Sequence, residues 1–487
     1  MEKGGSIRNF FYDQLRATLA KNDNYTELTS KQLRQVYAAE IRELSIGPLA
    51  VLERQDKRAY EAKIADFLLQ RYNDSESHYP RVLRFLADRL GVRCFVVFDN
   101  VDQHDFGDQQ EIFQFAHAFS AKCHAFSLVT MWEETYLRSK KTGGALAAYQ
   151  SVAYTFPPVS VVDIISRRLE YVVSDIQKGG VARQLLADQT KADDVSDFLG
   201  LVRESILHDR RRARHFLESI SMGNLRRAME VFSLFLVSGH TDTGKILGTY
   251  RIEHSYLIPL HEFIKSIGLG DYRFYQSELS QVVNLFSISD ESRPSHFTKI
   301  RLLEYLYYYR NHTTTFGMGF IRTDAIVDAF LRFGTSDADL NESLRILAAY
   351  LLVENDTYES NELGGAYRVT AAGRYFIRIL MNKFAYLDLV FQDTPIADRV
   401  VFDTVEKLVA SRDLDDRFAR VAAFVDYMLG EEEREHAAIL STSDSIPLRE
   451  RIIPELRKAF ESDKVFIKKG RKRRESKAEK TPYEPKV

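Results

Sequence analysis

Apolar residues recur at three- and four-residue spacing along most of this chain, and short apolar strand candidates interrupt that pattern at few places. Within residues 7–90, IRNFFYDQLRATLAK, KQLRQVYAAEIREL and YEAKIADFLLQRY each read as an amphipathic helix. YPRVLRFLADRLG is a further helix, with Gly91 in the position of a C-terminal cap. A buried strand at Cys94–Phe98 follows directly. The helix QQEIFQFAHAFSAK and a second buried strand, Ala125–Met131, come next. Strand, helix and strand at this spacing predict a parallel βαβ unit. A third short strand is expected over Val152–Phe156, before Pro157 and Pro158.

From Val161 to about Phe235 the pattern is helical again, through DIISRRLEYVVSDI, VSDFLGLVRESILHD and GNLRRAMEVFSLFLVS. Residues 242–292 read as further helices and loops. Residues 296–380 have a different order. HFTKIRLLEYLYYYR, IRTDAIVDAFLRFG and DADLNESLRILAAY are helices, the last capped by Thr335-Ser336. LLVEND and AYRVT are short strands around the polar loop TYESNELGG, and AAGRYFIRILMNKF closes the segment as a helix. Three helices, a two-stranded wing and a closing helix describe a winged helix-turn-helix. Helices resume over 385–463, in DTVEKLVAS, RFARVAAFVDYMLGEEEREHAAIL and PLRERIIPELRKAF. From Lys464 the chain, with KKGRKRR, reads as a polar disordered tail.

Composition adds bounds to this picture. The 487 residues are 45% hydrophobic and 28% charged, with 32 Phe and 25 Tyr, enough for a large buried core. The two cysteines, Cys94 and Cys123, sit in or beside apolar runs, which favours buried free thiols in a reducing compartment. No apolar leader opens the chain, and no apolar run approaches the ~20 residues that span a bilayer. A cytoplasmic protein with no membrane contact is expected. The net charge of −2 hides an asymmetry: residues 464–487 hold ten Lys/Arg against three Asp/Glu, so the rest is acidic. An acidic body argues against whole-surface nucleic-acid binding, while the tail allows weak contact with polyanions.

The candidate chemistry begins at CFVVFDNVDQHD, Cys94–Asp105. An apolar strand that delivers Asp99 at its carboxyl end, with Asp102 three residues on, can hold Mg²⁺ through water beside a bound nucleotide. Asp102 reads equally as a helix N-cap. A phosphatase of the haloacid-dehalogenase type needs its two aspartates one residue apart, and here two residues separate them. Thr130 ends the next strand, followed by Met131, Trp132, Glu133 and Glu134. A polar group there touches a γ-phosphate or attacking water, or simply caps a turn. In SMGNLRRAMEVF, residues 221–232, Arg226 and Arg227 open a helix after a Gly-Asn turn. An arginine fork there suits phosphate oxygens, and a solvated helix face is the alternative. The histidines show no metal-ligand spacing.

Taken in order, FVVFDNVD, SLVTMWEETY, a proline-bearing strand end, ISRRLEY, GNLRRAMEVF and the winged helix resemble the STAND and origin-recognition branches of AAA-type P-loop ATPases. The resemblance covers residues from about 85 to 385. It implies a Walker B element at Asp99 and Asp102, sensor 1 at Thr130, sensor 2 at Arg226, and Mg-ATP as the cofactor of an intact relative. It also implies a regulatory or defence switch. Trp132 departs from it, since related chains often carry arginine near this point. The implied fold is mainly α with a partial α/β P-loop-type core. Residues 1–160 form that core, 161–240 a helical lid, 241–295 a helical connector, 296–384 the winged helix, 385–463 a helical C-terminal region and 464–487 the basic tail.

The larger departure is the phosphate loop, which needs G-x-x-x-x-G-K-[ST]. Before Cys94 the glycines are Gly4, Gly5, Gly47 and Gly91, and none has this spacing. The look-alike GHTDTGKI, Gly239–Ile246, has Ile246 in place of the Mg²⁺-binding hydroxyl and follows a helical pattern. Thr241-Asp242 reads better as a helix cap. This chain alone is therefore expected to bind ATP weakly or not at all. A late-assigned start, a split gene, or a partner supplying the loop each account for the gap, and an oligomer fits the last. The alternative is a non-enzymatic winged-helix regulator or adaptor. Asp337, Asp339 and Glu342 against Arg345 in its third helix, with Glu354, Asp356, Glu359 and Glu362 in the wing, favour a protein partner over DNA.

Overall fold

The computed structural model describes residues 7–21, 30–132, 135–136, 139–140, 148, 151–156, 159–208, 212–253, 256–289, 295–331, 334–356, 365–442 and 445–480. It is mainly helical, with small sheets. Among the described residues no helix is long and apolar enough to cross a membrane. The chain forms two compact units, Met1–Phe156 and Pro157–Val487.

In the first unit, α1 (Ile7–Lys21), α2 (Ser30–Val36), α3 (Ala38–Ile46), α4 (Ala50–Gln55), α5 (Lys57–Asn73) and α6 (Ser75–Leu90) precede β1 (Phe95–Phe98). Then come α7 (Phe106–Cys123) and β2 (Phe126–Val129). Polar caps set the helix ends. The Asp56 carboxylate accepts from Arg58 N and Ala59 N, both at 3.0 Å, and Asp74 serves α6 likewise. Gly91, at φ 67°, ends α6 in the left-handed region, as its position predicts. KQLRQVYAAEIREL is two helices rather than one. It breaks at Tyr37, whose ring is fully buried and whose hydroxyl meets His78 Nδ1 at 2.8 Å.

β1 and β2 pair in parallel, with Phe95 opposite Phe126 and Phe98 opposite Val129. Both were expected to be buried on two faces, and each is buried on one. Val96 and Phe98 pack on a core of Tyr12, Leu83, Phe115 and Phe119, while Phe95, Val97, Phe126 and Leu128 face solvent. The third strand expected at Val152–Phe156 does not form. Val152, Tyr154 and Phe156 are exposed, with no strand among the described residues paired to their backbone, and Pro157 and Pro158 lie outside the described residues. Cys94 and Cys123 are free thiols, and burial pushes that of Cys123 up to about 12.

The second unit continues with α8 (Val161–Gln177), α9 (Val181–Gln184), α10 (Ala192–His208), α11 (Arg212–Ser221), α12 (Leu225–Val237), α13 (Thr243–Glu253) and α14 (Leu260–Leu269). Irregular chain leads to α15 (Thr298–Tyr308) and the short hairpin β3 (Thr313–Thr314) and β4 (Gly317–Met318). There follow β5 (Ile321–Arg322), α16 (Thr323–Leu331), α17 (Asp337–Ala349), β6 (Val353–Asn355), β7 (Ala366–Val369) and α18 (Ala371–Arg378). These three strands form an antiparallel sheet in the order β5-β7-β6. β5 is an addition to the two strands read from sequence, where its two residues are too short to register. The loop Thr357–Gly364 lies outside the described residues. α18 starts close against the chain just before β6: a Cβ on Gly373 would lie 2.2 Å from the Leu352 carbonyl oxygen, so only glycine fits.

α19 (Phe384–Val390), α20 (Arg399–Leu408), α21 (Leu414–Thr442) and α22 (Leu456–Lys480) complete the unit. One continuous core runs from Val161 to Phe460, drawing on most of these helices. PLRERIIPELRKAF was expected to be wholly helical, but α22 starts at Leu456, after Pro454. The expected disorder from Lys464 is corrected as well, because α22 continues to Lys480. Buried Leu456 and Phe460 anchor its first turns, and Lys468 pairs with Asp415 at 2.8 Å. Residues 481–487 lie outside the described residues.

Candidate functional site

The parallel register fixes the first site. Phe98 stands opposite Val129, so the residues that leave the two strands, Asp99 and Thr130, are neighbours at the same sheet end. Thr130 N donates to Phe98 O at 2.9 Å, and Thr130 Oγ1 donates to Asp99 Oδ1. Asn100 N donates to the same oxygen at 3.0 Å. Asn100 itself is left-handed at φ 59°, a conformation asparagine tolerates, and it turns the chain sharply away from the strand. Val101, 1% exposed, pins that turn into the core.

Asp102 lies in the short 3-10 turn Val101–Gln103 and is half-buried. It is not the N-cap of α7. That role belongs to Asp105, whose Oδ1 accepts from Asp108 N at 2.9 Å. The pair Asp99 and Asp102 therefore flanks a tight turn at the strand end, and the capping alternative for Asp102 is removed. Asp99 is exposed, so its carboxylate is accessible to a hydrated cation. Among the described residues no group of three or more His, Cys, Asp and Glu converges as an ion-binding set. Trp132 is 57% exposed. Glu133 and Glu134 lie outside the described residues.

Arg226 belongs to the second unit, whereas Asp99, Asp102 and Thr130 belong to the first. It is exposed in the first turn of α12, after left-handed Met222 and Gly223. Asn224 caps that helix, its Oδ1 accepting from Arg227 N at 3.1 Å. The adjacent Arg227 behaves differently. Its guanidinium reaches Ala349 O at 3.5 Å and lies 6.0 Å from the Tyr350 ring, and burial lowers its pKa from the usual arginine range. Of the two arginines, Arg226 is the one presented to solvent.

GHTDTGKI is the start of α13 and follows a helix, not a strand. Asp242 caps it, accepting from Lys245 N at 2.9 Å, and Ile246 is buried at 4% exposure. These are the features expected of a helix cap. α17 is less acidic on its surface than its composition suggests. Asp339 is buried at 2% exposure and accepts from Thr298 Oγ1 at 2.5 Å. Glu342 pairs with Arg345 at 2.6 Å, and Glu354 with Arg368 at 2.7 Å. Glu359 and Glu362 lie outside the described residues. The charge argument against DNA is thus weaker than the count of acids implied. Of RRRAR at 210–214, Arg210 and Arg211 lie outside the described residues.

One concave feature escaped the sequence: a cleft in the second unit built from five separated stretches between Gly239 and Arg420. No spacing rule links residues so far apart, so no local signal could have found it. No protein-family model matches this chain, and neither a curated protein nor a solved structure matches it.

Proposed function

We propose that this chain carries the Walker B half of a STAND/AAA-like nucleotide switch and receives its phosphate loop from another segment or chain. The observation that carries this reading is the Asp99–Thr130 hydrogen bond at the carboxyl ends of adjacent parallel strands joined by a helix. In open α/β sheets that edge is where ligands bind. Asp99 would hold Mg²⁺ through water, and Thr130, whose hydroxyl proton goes to Asp99, would orient that carboxylate beside the γ-phosphate. Asp102 is the second carboxylate, and Arg226, exposed at a helix start, is the arginine that the resemblance implies for phosphate charge. Mg-ATP would then be the ligand that sets the switch, with hydrolysis negligible in this chain alone.

The test is photolabelling with an azido-ATP analogue in Mg²⁺. The chain in complexes captured from its native cells should label, and Asp99→Ala should reduce labelling at least tenfold. The isolated chain should label weakly. Labelling indifferent to Asp99→Ala, or micromolar Mg-ATP binding by the isolated chain, would overturn the proposal.

The second reading is a non-enzymatic adaptor built on a winged helix. It is favoured by the run α15, β5, α16, α17, β6, β7 and by the sheet order β5-β7-β6. With Arg345 and Arg368 held by Glu342 and Glu354 and so not free for phosphate, a protein partner on α17 is the better fit, and any nucleic-acid contact falls to the basic helix α22. Function that survives Asp99→Ala and Arg226→Ala together would select this reading.

A further inference from the structure

The cleft in the second unit has a volume of about 590 Å³, within the range of small-molecule sites. Five Lys/Arg side chains and two Asp line it, and their pairing decides what the cleft offers. Asp388 is fully committed. It holds Arg417 and Arg420 at 2.7 Å each, and Arg420 also donates to Leu408 O, Val409 O and Ser411 O. Asp242 is spent capping α13. Lys265, Arg273 and Arg412 remain. Lys265 Nζ reaches only a carbonyl, His240 O, at 3.4 Å, and Arg273 lies 5.1 Å from the Phe274 ring. Arg412 is exposed and has no hydrogen bond or ion pair among the described residues.

Three cations thus share one concavity whose lining carboxylates are already engaged, Asp388 with Arg417 and Arg420 and Asp242 with the start of α13. Their crowding registers on Lys265. Burial lowers its pKa from the ordinary lysine value, and Arg417 and Arg412 push the same way against Glu262 and Asp388. His240 is lowered too, by burial first, with Lys265 and Arg412 adding to it. A bound anion would offset the repulsion that Arg412 adds in both cases. A point charge such as chloride would leave most of the cleft empty, whereas two or more linked phosphates would span it.

We infer that this cleft binds a small soluble polyanion of the phosphate class, with Lys265, Arg273 and Arg412 as its cationic contacts. The site is independent of Asp99 and Thr130, which belong to the first unit.

The experiment is calorimetric titration of the full chain with inorganic pyrophosphate at two salt concentrations. Saturable binding is expected, weakened at least tenfold by Lys265→Gln and by Arg412→Gln. Arg412→Gln alters an exposed side chain and keeps the fold, which circular dichroism verifies. Lys472→Gln, on α22, should leave affinity within twofold. Absence of saturable binding, or binding that Arg412→Gln leaves unchanged, overturns the inference. So does an equal loss in Lys472→Gln, which would assign the phosphate to the basic helix. A short single-stranded oligonucleotide that displaces pyrophosphate and binds more tightly at the same residues would replace a small ligand with nucleic acid.

Discussion

Phe95 and Phe235 are both apolar rings in stacked pairs, and they live in opposite surroundings. Phe95 stacks on Phe126 at 5.3 Å and is 66% exposed. Phe235 stacks on Phe263 at 4.1 Å and is fully buried. The contrast runs through the two units. In the second, one core extends from Val161 to Phe460. In the first, a small cluster covers one face of a two-stranded sheet and leaves the other face bare. Parallel sheets normally have both faces covered. The candidate catalytic residues, Asp99, Asp102 and Thr130, stand on the sparsely packed unit, and the extensive core carries the anion cleft. In this chain, dense packing and catalytic-looking chemistry do not coincide.

Truncating each ring should expose that contrast most strongly. Phe235→Ala should destabilise the second unit by about 3–5 kcal/mol, the usual cost for a buried phenylalanine. Phe95→Ala should change the first by less than about 1 kcal/mol, since little apolar area leaves water there. Hydrogen exchange read by mass spectrometry reports each unit separately. Equal losses would mean that the exposed sheet face is covered in solution.

A pH series separates the units next. Lys299 is buried, donating to Ser287 O and Ser289 Oγ at 2.7 Å each, and burial lowers it to about 8. Between about 8 and the ordinary value of 10.5 the unfolded chain holds this proton more tightly than the folded chain. Lys299 should therefore make the second unit more stable as pH rises from about 8, by on the order of 1 kcal/mol by pH ~9. Above that, the Tyr275, Tyr305, Tyr375 and Tyr386 hydroxyls, all raised by burial, turn the slope downward. In the first unit, burial raises Tyr12 and Cys123, each to about 12. There the folded chain holds the protons, so stability should fall above pH ~9. Lys299→Met should flatten the rise in the second unit, and urea denaturation from pH 7.5 to 10 measures both slopes. A rise that persists in Lys299→Met would assign it elsewhere.

The smallest effect concerns Asp99. Because it is exposed, Asp99→Ala should alter the stability of the first unit by no more than about 0.5 kcal/mol. Its consequence should appear in nucleotide labelling instead. A large stability loss would make the Thr130–Asp99 bond a structural clamp.

Much of the fold was legible because local rules set it. Gly91 ends α6 and Ser336 caps α17, accepting from Asp339 N at 3.1 Å, as their positions foretold. What failed depended on distant neighbours. Val152–Phe156 has strand composition but no strand to pair with among the described residues. Lys464–Lys480 has the composition of a disordered tail, yet it extends a helix anchored by Leu456 and Phe460. Asp339 looked like a surface acid and is buried against Thr298. The site divides the same way. Asp99 and Thr130 were readable as strand ends, and Asp105 rather than Asp102 as the cap was not, since both are polar and close to the helix start.

By itself the sequence determined most of the helices and the parallel pair β1 and β2, because hydrophobic periodicity and capping act over a few residues. It also placed Asp99 at a strand end and excluded a phosphate loop at the expected point before it. Only the tertiary structure decided that Thr130 meets Asp99, that Arg227 turns inward while Arg226 faces solvent, and that Lys265, Arg273 and Arg412 share a cleft. Those outcomes depend on contacts between residues far apart in the chain, where spacing carries no information and burial and charge pairing choose the result.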